Sequence, residues 1–102
     1  MLQFSLVGGE QREYKFTVSD RAVIGRGKDC SLSIPGDASV SGRHCEISIS
    51  EGIAYLRDLK STNGTAVNGI PITNVYKLNI GDVIEIGRQQ LRLCSVSKVQ
   101  AK

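Results

Sequence analysis

The sequence has no tryptophan, few aromatic residues and no long apolar run, and each absence excludes a class of protein. Three tyrosines and two phenylalanines are its only aromatic residues, which leaves little to stack on the bases of a single-stranded nucleic acid. No apolar stretch approaches the about 18 residues that cross a bilayer as a helix. Residues 1–7 are too short for a secretory signal peptide. We therefore predict neither a nucleic-acid partner nor a membrane.

The excess of basic over acidic residues is small as well. Thirteen Lys and Arg residues oppose ten Asp and Glu residues, which gives a net charge of +3, and no basic run resembles a nucleic-acid-binding arm. The three cysteines, Cys30, Cys45 and Cys94, are odd in number and form no Cys-x-x-Cys pair. Because they cannot all pair within the chain, we predict a reducing, cytoplasmic compartment. Their spacing indicates neither a metal site nor a cofactor.

Short segments of alternating polarity indicate an all-β fold. A chain of 102 residues has room for one domain. Eleven glycines separate the segments, and no window of about a dozen residues shows helical spacing. This pattern predicts a sandwich or a barrel. The predicted strands are residues 2–6, 14–18, 22–25, 31–34, 44–50, 53–59, 65–67, 82–86 and 89–94.

Glycine and proline mark the connections between these strands. Gly8-Gly9 predicts a hairpin between the first two strands, and Asn68-Gly69 is a strong turn signal. Pro71 restricts the piece that follows to a sheet edge or a connection. We expect a domain over residues 1–95 and a polar tail or linker over residues 96–102.

Three polar strings that contain glycine lie between the predicted strands. They are Ile24-Gly25-Arg26-Gly27, Val40-Ser41-Gly42-Arg43-His44 and Lys60-Ser61-Thr62-Asn63-Gly64-Thr65. Arginine keeps its charge and presents a planar fork of donors, while hydroxyl and backbone N–H groups complete the shell of a phosphate. Loops on a rigid scaffold commonly carry binding residues. The strings predict a site that binds a phosphorylated chain without changing it.

In this order and spacing, and with Val67-Asn68-Gly69 and Gly81-Asp82 after them, the strings resemble the forkhead-associated (FHA) domain. The resemblance covers about residues 2–95. It implies a sandwich of two twisted β-sheets with about eleven short strands and with the binding loops at one end. It also implies a non-catalytic module that recognises phosphothreonine peptides for signalling or assembly. The partner would be a threonine-phosphorylated protein, which implies a Ser/Thr kinase, and the module could be part of a larger chain.

The resemblance assigns a phosphate-binding role to residues of the first two strings and to one of the third. Arg26 and Ser41 would contact phosphate oxygens, and Thr62 would add a donor. Arg43 would supply positive charge beside the phosphate. Gly42 stands where relatives often carry a longer side chain, so only its N–H could contribute.

The remaining assignments concern the peptide and the scaffold. Asn63 would hold the backbone of the bound peptide through its side-chain amide. The ring of His44 would brace the loop that carries Ser41. The turns would be shaped by Gly25, Gly64, Asn68 and Gly69.

Two other functions have to be weighed, an enzyme and a phosphate-independent interaction module. Ser41, His44 and Asp58 supply the residue types of a hydrolase triad, and Cys45 follows His44. Neighbouring residues of a strand point to opposite faces, and the sequence contains no Gly-x-Ser-x-Gly elbow of the α/β-hydrolase kind, so we predict that the chain is not an enzyme. The remaining alternative is phosphate-independent protein–protein interaction or oligomerisation on the same scaffold.

Overall fold

The computed structural model of this chain describes residues 2–8, 16–18, 20–34 and 36–98. These residues form eleven strands, and none of them belongs to a helix that could cross a membrane. The strands are β1 (Leu2–Gly8), β2 (Phe16–Val18), β3 (Arg21–Gly25), β4 (Leu32–Ser33), β5 (Cys45–Ser50), β6 (Ile53–Asp58), β7 (Thr65–Val67), β8 (Ile70–Pro71), β9 (Tyr76–Lys77), β10 (Val83–Ile86) and β11 (Gln89–Lys98).

The strands form two sheets. The six-stranded sheet has the order β2-β1-β11-β10-β7-β8, and the five-stranded sheet has the order β4-β3-β5-β6-β9. Neighbouring described strands run antiparallel, except that β4 pairs parallel to β3. The predicted sandwich of two sheets is therefore confirmed, and Pro71 lies in the edge strand β8, where its missing N–H interrupts no ladder.

The core lies between the inner faces of the two sheets. Ile24, Ile47 and Leu56 come from the five-stranded sheet, while Ile84 and Leu91 come from the six-stranded one, and all five are fully buried. Burying one such side chain contributes roughly 1.5–3 kcal/mol. Period-two alternation places these residues inward, so the packed faces hold the strand ends, and with them the connecting loops, in fixed positions.

At the first two strands and at the last strand, the described structure covers or matches only part of what the sequence predicts. β1 and β2 pair antiparallel, with Leu6 opposite Phe16, as the predicted hairpin requires, but residues 9–15 lie outside the described residues. β11 continues to Lys98, which pairs with Leu2, whereas the sequence pattern predicts a last strand that ends at residue 94. Ladder hydrogen bonds join backbones, so a polar stretch can extend a strand that its side-chain pattern does not indicate.

Strand order gathers four connections at one end of the sandwich. Ile24 at the end of β3 pairs with Cys45, and Cys45 pairs with Asp58 at the end of β6. Ile86 at the end of β10 pairs with Thr65 at the start of β7. We call this region the loop end. It comprises the β3–β4 loop (26–31), the β4–β5 loop (34–44), the β6–β7 loop (59–64) and the β10–β11 turn (87–88).

Candidate functional site

The backbones of the β3–β4 and β4–β5 loops lie directly against each other. The N–H of Arg26 donates to the carbonyl of Ser41 at 2.9 Å, and the N–H of Gly27 donates to the carbonyl of Gly42 at 3.0 Å. A Cβ on Gly25 would overlap that same Gly42 carbonyl. Gly25 is therefore required by close backbone approach, which brings Arg26 beside Ser41.

Arg26 is exposed, but its side chain is anchored. Its Nε donates to the carbonyl of Val40 at 3.1 Å, the residue that precedes Ser41. A guanidinium has five N–H donors, so this bond leaves the two terminal NH₂ groups to meet a ligand. The anchor orients the arginine before any ligand arrives, which lowers the entropic cost of ordering its side chain on binding.

His44 is fully buried and joins two of the loops. Its Nδ1 accepts a hydrogen bond from the N–H of Ser41 at 3.0 Å, and its Nε2 lies 2.7 Å from the carbonyl of Gly64. A carbonyl only accepts, so Nε2 carries the proton and donates, while the unprotonated Nδ1 accepts. The neutral ring therefore braces the β4–β5 loop and the β6–β7 loop together.

Two further hydrogen bonds connect these loops at the surface. The half-buried hydroxyl of Ser41 accepts from the N–H of Thr62 at 2.9 Å, which leaves its own hydrogen to donate outward. The exposed side chain of Asn63 donates from Nδ2 to the carbonyl of Ser39 at 2.9 Å. Ser41, Thr62 and Asn63 thus form one continuous polar surface beside Arg26.

Asp58 organises the β6–β7 loop, a role that the sequence interpretation missed. Its carboxylate accepts from the N–H of Ser61 at 3.0 Å and from the hydroxyls of Ser61 and Thr65. The Ser61 hydroxyl in turn accepts from the N–H of Gly64 at 2.9 Å. An Asp followed three residues later by Ser at a strand end is a local turn signal that could have identified it.

Burial and hydrogen bonding act on Asp58 in opposite directions. Partial burial raises the pKa of this carboxyl, while the hydrogen bonds from Ser61 and Thr65 lower it, and the net pKa lies below its ordinary value. The carboxylate is therefore held in its charged form as an acceptor, which is the form the loop needs.

The same hydrogen bonds exclude the triad interpretation. In a triad the base must contact the nucleophile's hydroxyl and be oriented by a third group. The two ring nitrogens of His44 instead contact the Ser41 N–H and the Gly64 carbonyl, and the Asp58 carboxylate is bound by Ser61 and Thr65. Ser41, His44 and Asp58 lie close together without forming a nucleophile, a base and an orienting acid.

Gly42 and Arg43 lie on the β3–β4 side of the loop end. A Cβ at Gly42 would meet nothing within 4 Å, so this position is open toward solvent, and its carbonyl also accepts from the thiol of Cys30 at 2.9 Å. The Arg43 guanidinium faces Asp29 at 4.0 Å, with 64% and 75% of the two side chains exposed. Such a pair contributes little to stability.

Asn68 and Gly69 do not lie at this site, although the sequence interpretation placed them in its scaffold. They form the two-residue turn between β7 and β8, with φ of 53° and 82°, as a type I′ hairpin requires. β7 leads from the β6–β7 loop at Thr65 to this turn after Val67, so the turn lies at the far end of the strand. Asn-Gly signals a turn but not its location.

Comparison with known proteins identifies similar chains over most of the sequence. The profile of the FHA domain matches residues 22–87. The FHA domain-containing protein FhaA of Mycobacterium tuberculosis is 41% identical over 83 residues, which is 81% of this chain and 15% of FhaA. The E3 ubiquitin-protein ligase CHFR of Xenopus tropicalis is 46% identical over 67 residues, which is 62% of this chain and 10% of CHFR. The chain thus spans a small part of these curated relatives.

Solved structures show the same fold. An FHA domain studied for its phosphothreonine-dependent interactions has a TM-score of 0.82 and 33% identity, covering 97% of this chain and 99% of that one. The FHA domain of FhaA, solved in complex with the intracellular domain of Rv3910, has a TM-score of 0.79 and 34% identity, covering 95% and 100%.

Proposed function

The chain belongs to the FHA domain family, and on that premise we propose that its loop end binds a phosphothreonine-containing segment of another protein without changing it chemically. In this proposal, Arg26, Ser41 and Thr62 bind the phosphate, and Asn63 holds the peptide backbone. Arg43 and the N–H of Gly42 assist at the β3–β4 side of the same surface.

One observation carries the proposal, the direct bonding of three connections into one polar surface. Arg26 is anchored to the β4–β5 loop, and the β6–β7 loop is bound to that loop through Ser41. A phosphothreonine carries about −1.5 to −2 charges and three acceptor oxygens at neutral pH. A guanidinium, a hydroxyl and an amide within one rigid surface match that charge and those acceptors.

The solved relatives support the choice of ligand and partner. One was studied for phosphothreonine-dependent interactions, and another was solved with a domain of a different protein. The chain spans 10% of a relative named as a ubiquitin ligase, so we propose a recognition role within a larger assembly. Cys30 and Cys45 are buried and unpaired, which supports a reducing compartment such as the cytoplasm.

Titration of a phosphothreonine peptide library by calorimetry tests this function. We expect phosphorylated peptides to bind more tightly than their unphosphorylated forms. Arg26→Ala removes a charge-assisted contact worth about 1.5–3 kcal/mol, so affinity should fall about 10- to 100-fold. Arg21→Ala is the matched control, because Arg21 is an exposed arginine at the opposite end of β3.

Two results would contradict the proposal. Equal binding of phosphorylated and unphosphorylated peptides would remove the phosphate from recognition. Equal losses in Arg26→Ala and Arg21→Ala would reduce the role of Arg26 to general positive charge.

A second candidate function, phosphate-independent protein association, has a different surface. Ile70 and Val75 are 69% and 56% exposed, and they border a groove of about 350 Å³ between the β7–β8 turn and Tyr76. Exposed apolar patches often mark interaction sites. If a partner is lost in Ile70→Ser but retained in Arg26→Ala, this second function is the correct one.

A further inference from the structure

We infer that the dipeptide Asn63-Gly64 is a site of spontaneous deamidation, and that conversion of Asn63 to aspartate or isoaspartate inactivates the loop end. The modification itself depends only on the chemistry of the chain and on water. Its effect on recognition rests on the proposed function, since Asn63 is the residue proposed to hold the backbone of the bound peptide.

The reaction needs no reagent other than water. The backbone nitrogen of Gly64 attacks Cγ of Asn63, so that a bond forms between these atoms and the bond from Cγ to Nδ2 breaks. Nδ2 leaves as ammonia and takes the proton of the Gly64 N–H, and a cyclic succinimide remains. Water then opens the succinimide at Cγ, which gives aspartate, or at the backbone carbonyl carbon, which gives isoaspartate.

Asn63 and Gly64 meet the steric requirement of this reaction. Glycine has no side chain to obstruct the approach of its nitrogen, and a Cβ at Gly64 would meet nothing within 4 Å. Both residues are exposed, which gives water access to the succinimide. Asn74 is exposed as well, but it precedes Val75, whose branched side chain crowds the corresponding nitrogen. The Asn74-Val75 pair should therefore react far more slowly.

Three hydrogen bonds restrain the other Asn-Gly pair. Nδ2 of Asn68 donates to Asp82 at 3.0 Å, and Oδ1 of Asn68 accepts from the N–H of Val83 at 2.9 Å. The backbone N–H of Asn68 donates to the carbonyl of Val83 at 2.9 Å. Rotation of the Asn68 amide toward the nitrogen of Gly69 breaks both side-chain bonds, and the backbone bond opposes movement of the turn itself.

Two hydrogen bonds at the surface restrain the first pair. Nδ2 of Asn63 donates to the carbonyl of Ser39 at 2.9 Å, and the N–H of Gly64 donates to the hydroxyl of Ser61 at 2.9 Å. The Ser61 hydroxyl slows the reaction, because the Gly64 nitrogen must leave it before it can attack. One restraining hydrogen bond fewer corresponds to a rate that is about two- to tenfold higher.

Conversion of Asn63 adds a negative charge and removes a donor. A carboxylate has no N–H, so the carbonyl of Ser39 would face a second acceptor. Ser39 is held in place, because the Asp37 carboxylate accepts from its N–H at 2.9 Å and from the N–H of Arg88 at 3.2 Å. The new charge belongs to the polar surface proposed to bind a phosphate, and it repels that dianion. Isoaspartate also lengthens the backbone by a carbon atom.

Mass spectrometry of the folded protein during incubation at mildly alkaline pH tests the modification. Base removes the proton of the attacking nitrogen, and fragment ions of peptide 61–77 distinguish Asn63, Asn68 and Asn74. We expect Asn63 to convert about two- to tenfold faster than Asn68, while Asn74 stays largely unchanged. In urea, which removes the hydrogen bonds of the fold, Asn63 and Asn68 should convert at similar rates.

Variants separate the reaction from its effect on binding. Ser61→Ala removes the hydroxyl that holds the Gly64 nitrogen and should raise the rate at Asn63 about two- to tenfold. Asn63→Asp reproduces one product and should lower phosphopeptide affinity at least about tenfold. Asn68→Asp makes the same change outside the loop end and should retain the affinity. Thermal unfolding of each variant establishes that it is folded.

A bound phosphopeptide provides the link between the reaction and the site. Saturating phosphothreonine peptide should slow the conversion of Asn63 and leave that of Asn68 unchanged, because only Asn63 is proposed to contact it. Failure of the proposed function has a separate signature, in which Asn63 converts as expected but the phosphopeptide neither protects it nor binds better than its unphosphorylated form.

The inference is overturned if Asn63 converts no faster than Asn68 or Asn74 in the folded protein. It is also overturned if the deamidated protein, or Asn63→Asp, binds a phosphopeptide as tightly as the unmodified protein does. An unchanged rate in Ser61→Ala would contradict the restraint assigned to the Ser61 hydroxyl.

Discussion

The chain contains the dipeptide Asn-Gly twice within seven residues, and the two copies have different roles. Gly64 and Gly69 have almost the same φ, 81° and 82°, so the two turns use glycine alike. Asn63 is exposed and donates to the carbonyl of Ser39 in another loop. Asn68 donates to Asp82 and accepts from the N–H of Val83 at the neighbouring strand β10.

The difference between the two asparagines shows what separates a binding turn from a structural one. The NH₂ group and the oxygen of the Asn68 side-chain amide are both hydrogen-bonded within the fold. The described bond of Asn63 uses one N–H, while an amide has a second N–H and a carbonyl oxygen. A residue that is positioned by one bond and retains further donors and acceptors at the surface is prepared for a ligand.

Removing His44 should produce the largest effect, because its fully buried ring joins the β4–β5 loop to the β6–β7 loop. His44→Ala removes two hydrogen bonds, each worth about 0.5–1.5 kcal/mol, and leaves a cavity in place of a fully buried ring, which adds a further cost. We expect the free energy of unfolding to fall by about 3 kcal/mol, with weaker phosphopeptide binding. Urea denaturation measures the former. A variant with unchanged stability and no binding would mean that His44 contacts the ligand instead of bracing the loops.

Replacing each asparagine with alanine tests the comparison between Asn63 and Asn68 directly. Asn68→Ala removes two side-chain hydrogen bonds and places alanine at φ 53°, so we expect a stability loss of about 1–2 kcal/mol with little change in affinity. Asn63→Ala should lower phosphopeptide affinity about tenfold with a smaller loss of stability. Calorimetry measures the phosphopeptide affinity of each variant, and urea denaturation measures its free energy of unfolding.

Either of two patterns would end the distinction between the asparagines. One is an affinity loss in Asn68→Ala as large as that in Asn63→Ala. The other is a larger stability loss in Asn63→Ala than in Asn68→Ala.

The strands of the core could be predicted from sequence because their signal is local. Alternation in β5 places Cys45 and Ile47 inward and Glu46 outward, and a period of two is readable without knowledge of the partner strand. β9 contains only Tyr76 and Lys77, which is too short for alternation to be recognised. Its pairing with β6 comes from tertiary structure.

The site could be predicted in part for the same reason. Arg26, Ser41 and Asn63 stand in polar strings that break the strand pattern, and the family resemblance assigns them roles. Asp37 and Asp58 act through hydrogen bonds to other loops or across a turn. The location of Asn68 depends on which strand follows which loop. Contacts between distant segments have no local pattern, so the role of Asp37 and the location of Asn68 required coordinates, whereas Asp58 has a local signal in Ser61 three residues later.

The glycines of the same two turns, Gly64 and Gly69, can be compared as well, and the expected difference is smaller than for the asparagines. A Cβ at Gly64 or at Gly69 would meet nothing within 4 Å, so alanine introduces backbone strain without a clash. We expect each alanine variant to lose about 1 kcal/mol of stability. Only Gly64→Ala should also weaken phosphopeptide binding, because Gly64 bonds to His44 and Ser61. Equal affinities in both variants would contradict this.

Acid should weaken the loop end through Asp58, and this effect is the smallest because the group is only half-buried and solvent screens it. The pKa of Asp58 is lower in the folded protein than its ordinary value, so the folded state binds fewer protons than the unfolded one. Its stabilising contribution is therefore complete above the ordinary Asp value of about 4 and is lost as pH falls through the folded pKa. The unfolding free energy of Asp58→Asn should fall less steeply below about pH 4 than that of the wild type. The Glu51→Gln variant, which changes an exposed side chain, is the control for loss of a carboxylate. If the unfolding free energy of wild type and of Asp58→Asn has the same slope against pH, Asp58 does not link the β6–β7 loop to pH.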